Sequence, residues 1–422
     1  MKIMVYSHDT YGLGNLRRIL AICQILLDEI PELSILLVSS SPFVHCLRIP
    51  QRLDYIKLPC IGRNELGEIS VKFLGTEIEQ TLKLRSELIK ITTIIFQPDI
   101  ILVDKKPYGL EGELKDTLEN IQNLNVLPKL VLLLRDILDT PKRTIREWEN
   151  NQYYQGIERF YDRVLVVGTP DIFDMTKKYN FPASISKKVK FCGYLNCKKV
   201  NKNSQELRQE LNISSDEKFI LVTVGGGADG YDLINTSIPA LANISVTQKV
   251  KSLIVSGPEM SVENQQALSD SIREFDNMKI LEFTDDLISY INAADLIISM
   301  AGYNTICEII SLKKPAVIVP RVRPTKEQLI RAKCMNKLGF FTAIHPDLLN
   351  SDNLQKAILE KLNINQDISP LALDINFYGL TQITNLMYNL LSDKSIGKKK
   401  KIKAKNQKLY FADESKIVAE KP

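Results

Sequence analysis

The chain has 422 residues, 44% of them hydrophobic and 25% charged, with a net charge of +5. That length exceeds one compact core and implies two domains, and the composition excludes wholesale disorder. Lys398, Lys399, Lys400, Lys401, Lys403, Lys405 and Lys408 crowd seven positives near the C-terminus; without them the balance drops from +5 to −2, so no basic body built to grip nucleic acid is expected.

The cysteines (Cys23, Cys46, Cys60, Cys192, Cys197, Cys307 and Cys334) are odd in number and scattered, with no CxxC pair. A disulfide framework or zinc site is therefore not expected, and a reducing cytoplasm fits. The histidines, His8, His45 and His345, are too few for a histidine-rich metal centre. The apolar stretch Ile3-Met4-Val5-Tyr6 is short for a signal peptide, and no run of about 18 apolar residues suggests a membrane span.

In chain order, strands are expected at Lys2–Tyr6, Ser34–Val38, Ile100–Val103, Lys129–Leu134 and Arg163–Val167, then at Phe219–Val224, Ser252–Val255, Lys279–Phe283, Leu296–Ser299 and Ala316–Val319. Most are apolar throughout rather than alternating, as suits parallel strands covered on both faces. A helix from about Asn15 to Glu29 buries the stripe Leu16, Ile19, Leu20, Cys23, Leu26, Leu27 and Ile30. The repetition of strand, helix and strand predicts an α/β fold of two Rossmann-like doubly wound parallel sheets facing a cleft. We expect an N-terminal domain over 1–196 and a C-terminal domain over 197–392. The polar segment Cys197–Ser214 reads as the linker, Leu380 to Leu391 as a last amphipathic helix, and 393–422 as a lysine-rich disordered tail. The tail reads first as a solvated appendage, with weak attraction to anionic lipid as the alternative.

In doubly wound sheets ligands bind beyond the carboxyl ends of the strands, and the unusual residues lie there. After the first strand come His8, Asp9, Gly12, Gly14, Asn15, Arg17 and Arg18. Arg17 stands where a dinucleotide fingerprint needs its third glycine, which weakens a nicotinamide reading. After Phe219–Val224 come Gly225, Gly226, Gly227 and Gly230, either a phosphate cradle or a plain turn. After Leu296–Ser299 comes Met300-Ala301-Gly302-Tyr303-Asn304-Thr305-Ile306-Cys307-Glu308. A diphosphate could sit on this helix N-terminus, with Thr305 adding a hydroxyl and Glu308 accepting from a ribose. The competing reading is a capping box, Thr-x-x-Glu. Pro320 to Ala332 gives a proline-bounded polar loop running into a helix, with Gln328 near its start as a sugar-hydroxyl ligand or merely an exposed first turn.

Gly302 through Glu308, Pro315, Pro320 and Glu327-Gln328 resemble the donor signature of the peptidoglycan N-acetylglucosaminyltransferase (MurG) type. Gly12-Leu13-Gly14 with paired arginines, and Leu134 through Asp139, resemble stretches in a group of bacterial glycosyltransferases related to it. The resemblance covers roughly 1–345. It implies a glycosyltransferase B fold, with Thr305 on the donor diphosphate, Glu308 on the ribose, and Gly225, Gly226 and Gly227 against the diphosphate. Phe283, Thr284 and Asp285 would line the base pocket, with uracil the expected base. Glu327 and Gln328 would face the donor sugar, where that type has two glutamines; Glu327 is a departure. No metal or other cofactor is implied, and no metal-binding Asp-x-Asp triplet is present. The relatives commonly carry a histidine in the first loop, where this chain has Leu13 and Asn15. Inverting transfer needs a base near the acceptor hydroxyl. Asp9 is the first candidate, Asp104 the second, and His8 also lies close in sequence. Arg135 and Asp136, beyond another strand end, are expected to pair with other groups or shape the acceptor cleft.

The expected function is hexosyl transfer, possible for an N-acetylhexosaminyl group too, from a UDP-linked donor to an acceptor the sequence does not identify. It would be inverting, metal-independent and cytoplasmic. The alternatives are a nucleotide-sugar 2-epimerase and a binding protein that has lost catalysis.

Overall fold

The computed structural model describes residues 1–8, 13–46, 48–63, 68–124, 126–195, 200–363 and 377–392. Asp9, Gly12 and the tail at 393–422 lie outside the described residues.

The strands, in chain order, are β1 (Lys2–Ser7), β2 (Ser34–Ser39), β3 (Leu53–Lys57), β4 (Ile61–Arg63), β5 (Ile69–Val71), β6 (Ile100–Asp104), β7 (Lys129–Arg135), β8 (Arg163–Val167) and β9 (Val189–Phe191). There follow β10 (Lys218–Thr223), β11 (Val250–Val255), β12 (Met278–Leu281), β13 (Leu296–Ser299), β14 (Ala316–Ile318) and β15 (Thr342–Ala343). Among the described residues they form two sheets and a hairpin. The first sheet has the order β3-β2-β1-β6-β7-β8-β9 and the second β12-β11-β10-β13-β14-β15; β4 and β5 pair antiparallel. Every pairing in the two large sheets is parallel, as the unbroken apolar runs require. The order reverses at β1/β6 and at β10/β13. Those two switch points open crevices at the carboxyl ends of the strands, which is where a doubly wound sheet takes ligands.

The Leu13–Glu29 helix covers the first sheet with Leu16, Ile19, Cys23 and Leu26, all fully buried. Leucines and isoleucines buried to this extent each stabilise by about 1.5–3 kcal/mol. The second sheet has its own apolar layer, in which Ile220, Val222, Ile298 and Val317 meet Ile234, Ile238, Leu354 and Ile358.

The segment expected to be a plain linker differs. Within it lies a short helix, Ser204–Glu210, whose N-terminus is closed by a capping box between Asn203 and Glu206. Leu207 is buried and Arg208 binds Asp295 at 3.0 Å, so this stretch is docked on the second sheet's unit. The last helix, over 379–392, packs back on the N-terminal unit: the Gly379 amide donates to the Tyr194 carbonyl at 3.1 Å, and Ile383, Met387 and Leu391 are buried. Among the described residues no helix is long and apolar enough to cross a membrane.

Candidate functional site

One helix start at the second switch point follows β13. The Tyr303–Ser311 helix has Gly302 as its N-cap, with no side chain capping it. Its first amides lack intrahelical partners and receive nothing from the cap residue, and among the described residues a Cβ on Gly302 would meet nothing within 4 Å. Thr305 is the third helical residue, not the cap, so the Thr-x-x-Glu capping box does not form. Glu308 lies one turn further, half-buried. Asn304 closes one side of this start: its Nδ2 donates to the Gly14 carbonyl at 3.0 Å, joining the two units.

Beside it, β12 ends at Leu281, two residues before the expected strand end, which frees Phe283 to stand 44% exposed. The Thr284 hydroxyl accepts from the Asp286 amide at 3.2 Å. The Arg17 guanidinium, from the first unit, lies over the Phe283 ring at 5.3 Å. Burial lowers the Arg17 pKa, while Glu308 and Asp285 act to raise it.

The glycine loop after β10 has a packing reason for much of its glycine. Gly225 and Gly227 have φ of 71° and 96°, and a Cβ on Gly227 would come within 2.2 Å of the Ser256 carbonyl. A Cβ on Gly226 would meet Glu259, whose amide donates to the Gly226 carbonyl at 2.8 Å. Only Gly225 faces open space among these three. Arg321 ties the loop to the next helix, reaching Asp229 at 3.3 Å and Glu327 at 3.0 Å. Glu327 also accepts from the Thr325 hydroxyl and is 2% exposed. Burial raises its pKa, but Arg321, Arg135, Thr325 and Arg331 outweigh that and hold the carboxyl below its ordinary range. Gln328 accepts from the Arg321 amide through Oε1 at 3.2 Å. The side chains expected to face a sugar thus also hold the Pro320–Thr325 loop.

On the N-terminal side, His8 is 3% exposed, and its Nδ1 has no hydrogen-bond partner among the described residues. Burial, followed by Lys105, Lys106, Arg85 and Arg135, holds its pKa well below the ordinary value, so the imidazole is neutral. Asn15 donates to the His8 carbonyl at 3.0 Å. Asp104 is bound by Arg18 at 2.8 Å, both side chains being almost wholly buried, while Asp104 Oδ2 has no partner among the described residues. Lys105, at the end of β6 with φ of 71°, has its pKa lowered to about 8 by burial, with help from Arg135 and Lys106. The Arg135 Nε is buried without a partner among the described residues. Lys105, Lys106 and Arg135 thus stand near His8 at the carboxyl end of the first sheet, with Lys106 paired to Glu147 at 2.8 Å.

Sequence reasoning missed what joins the two sides. Arg331, from the Glu327–Lys337 helix, donates to both oxygens of Asp136 at 2.8 and 2.7 Å and to the Ala301 carbonyl at 2.8 Å. Tyr194 donates to Asp136 at 3.3 Å, and its ring stacks on Tyr303 at 5.9 Å. Asp136 was singled out from its strand end, but its partner is 195 residues away on a polar helix and left no local signal.

Residues 219–373 match the glycosyltransferase family 28 C-terminal domain. The UDP-N-acetylglucosamine–N-acetylmuramyl-(pentapeptide) pyrophosphoryl-undecaprenol N-acetylglucosamine transferase of Haemophilus ducreyi is 26% identical over 152 residues, 36% of this chain and 41% of that protein. The chain thus spans about two-fifths of the length of that curated relative. In fold, Acinetobacter baumannii MurG superposes with a TM-score of 0.55 at 16% identity, covering 93% of this chain and 99% of that one. A Listeria monocytogenes structure, provisionally assigned as a UDP-N-acetylglucosamine 2-epimerase, does so with a TM-score of 0.62 at 13% identity, covering 92% and 94%. The chain is therefore similar in sequence to the glycosyltransferase family 28 C-terminal domain over 219–373, and it has the two-domain glycosyltransferase B fold that MurG also has.

Proposed function

We propose that the chain transfers a hexosyl group, N-acetylhexosaminyl by the example of its relatives, from a UDP-sugar to an acceptor, with inversion and without a metal. The observation that carries this is the start of the Tyr303–Ser311 helix, where Gly302 supplies no side-chain cap, with Glu308 one turn along, inside the stretch that matches the family 28 domain. In this reading the free amides and the helix dipole take the diphosphate, Thr305 adds a hydroxyl, Glu308 takes the ribose and Phe283 lies against the base. As the bond at the anomeric carbon breaks, charge develops on the leaving diphosphate, and preorganised amides stabilise it there. Gly225, as the open glycine of its loop, is the one we assign to the donor's approach.

The acceptor side is assigned to the switch point at β1/β6. Lys105, Lys106 and Arg135 favour an acceptor carrying an anionic group, in keeping with the pyrophosphoryl-undecaprenol in the relatives' names. For the base, Asp9 remains our first choice. Asp104 is the weaker one, because Arg18 already claims one of its oxygens. His8 is a poor base, since burial and four cations suppress its affinity for a proton.

A thermal-shift screen of nucleoside-diphosphate sugars, repeated with Glu308→Ala, tests the donor assignment. A ligand bound by the native state raises its melting temperature by mass action. Stabilisation by a UDP-sugar, lost in the variant, is expected; a wild-type protein indifferent to every nucleotide sugar would refute the reading. The epimerase reading, kept open by the Listeria neighbour, predicts epimer formation from donor alone, and incubation without acceptor decides between them.

A further inference from the structure

One cation at the donor side comes from the wrong half of the molecule. Arg17 belongs to the Leu13–Glu29 helix over the first sheet, yet its guanidinium lies 5.3 Å from the centre of the Phe283 ring in the second unit. Its place is fixed by the start of its own helix, where the Gly14 carbonyl accepts from Asn304 Nδ2 at 3.0 Å. Arg17 is therefore held at the edge of the Tyr303–Ser311 helix start. Glu308 and Asp285 supply the negative field around it.

Resting on the donor-site reading above, we propose that Arg17 is a donor-binding residue lent by the N-terminal unit, which leaves Phe283 and turns to the diphosphate when a nucleotide binds. A nucleoside and the guanidinium cannot both use the Phe283 face and Glu308. A bound nucleoside displaces the guanidinium, and the diphosphate then offers the nearest new anion. A planar guanidinium binds two oxygens of such a group at once, which a lysine ammonium does not reproduce. Donor binding would in this way draw the two units together through one side chain. A nucleoside without phosphates has to displace Arg17 and gives it nothing in return.

Isothermal titration of the full chain with uridine and with uridine diphosphate separates these effects. Arg17→Ala is expected to weaken uridine diphosphate binding by about tenfold or more while leaving uridine binding unchanged or tighter. Arg17→Lys should fall between, keeping the charge and losing the fork. Equal weakening of both ligands, or no change in either, overturns the proposal. Glu308→Ala serves as the control for the site and is expected to weaken both ligands. If wild type binds neither ligand, the donor-site reading falls and this proposal with it. If wild type binds uridine diphosphate and only Arg17→Ala is silent, this proposal falls alone.

Discussion

The Asp136–Arg331 pair gives the sharpest quantitative expectation. Both side chains are almost wholly buried, and the pair joins the end of the N-terminal sheet to the Glu327–Lys337 helix. Removing one partner of such a pair costs about 3–5 kcal/mol, because it strands the other charge in the interior. The two halves are not equivalent. Arg331→Met leaves Asp136 with the Ile137 amide at 2.8 Å and the Tyr194 hydroxyl at 3.3 Å. Asp136→Leu leaves the Arg331 guanidinium with the Ala301 carbonyl and the face of the Tyr303 ring, 5.7 Å away, neither of which carries a compensating charge. Arg331→Met should therefore lie near about 3 kcal/mol and Asp136→Leu nearer about 5 kcal/mol. The double variant should recover at least about 1.5 kcal/mol relative to the sum of the singles, since no charge is left uncompensated. Urea unfolding followed by circular dichroism, with the fluorescence of the single tryptophan, Trp148, as a second probe in the N-terminal unit, measures all three. Arg331 also holds the carbonyl just before Gly302, so Arg331→Met should weaken uridine diphosphate binding in addition. Single variants within about 1 kcal/mol of wild type, or strictly additive losses, would refute the reasoning.

Gly227→Ala should destabilise the C-terminal unit by about 1–3 kcal/mol, because its φ of 96° and the Ser256 carbonyl both oppose a methyl; a thermal melt checks it, and an unchanged melting temperature contradicts it. His8 gives a pH dependence of definite sign. Its folded pKa is depressed, so below about pH 6.5 the unfolded chain takes a proton the folded one refuses, and stability falls with pH by up to about 1.4 kcal/mol per unit until the folded pKa is reached. Urea midpoints at about pH 7.5 and about pH 5.5 should show a smaller loss in His8→Asn than in wild type. Lys105 behaves likewise at higher pH: with its pKa at about 8, stability should rise as pH climbs from there toward the unfolded value of about 10.4, and Lys105→Gln should remove that rise.

Much of the fold was legible because its central strands are buried on both faces. In β1, β6 and β8 nearly every residue is apolar and buried, and such runs announce themselves. Of the four edge strands, β12 was legible within two residues, but β3, β9 and β15 were not. β3 reads Leu53-Asp54-Tyr55-Ile56-Lys57 with only Leu53 buried, β9 has three residues and β15 two. An edge strand covers less core and needs fewer apolar residues, so pairing rather than composition reveals it. The Tyr303–Ser311 helix start was readable from Gly302 and the run after it. What those residues touch was not: Asn304 with Gly14, Arg17 with Phe283 and Arg331 with Asp136 are contacts between the two sheets' units. Glycine content likewise pointed to the loop at 225–227, but backbone packing against Ser256 and Gly257 accounts for Gly227 without a ligand.

A crystal structure of the chain with uridine diphosphate is the most direct test of where the donor sits. The diphosphate should lie within hydrogen-bonding distance of the amides that open the Tyr303–Ser311 helix, with a ribose hydroxyl on Glu308. Nucleotide bound elsewhere, or that helix start filled by the protein's own side chains while nucleotide is present at saturation, would contradict the account.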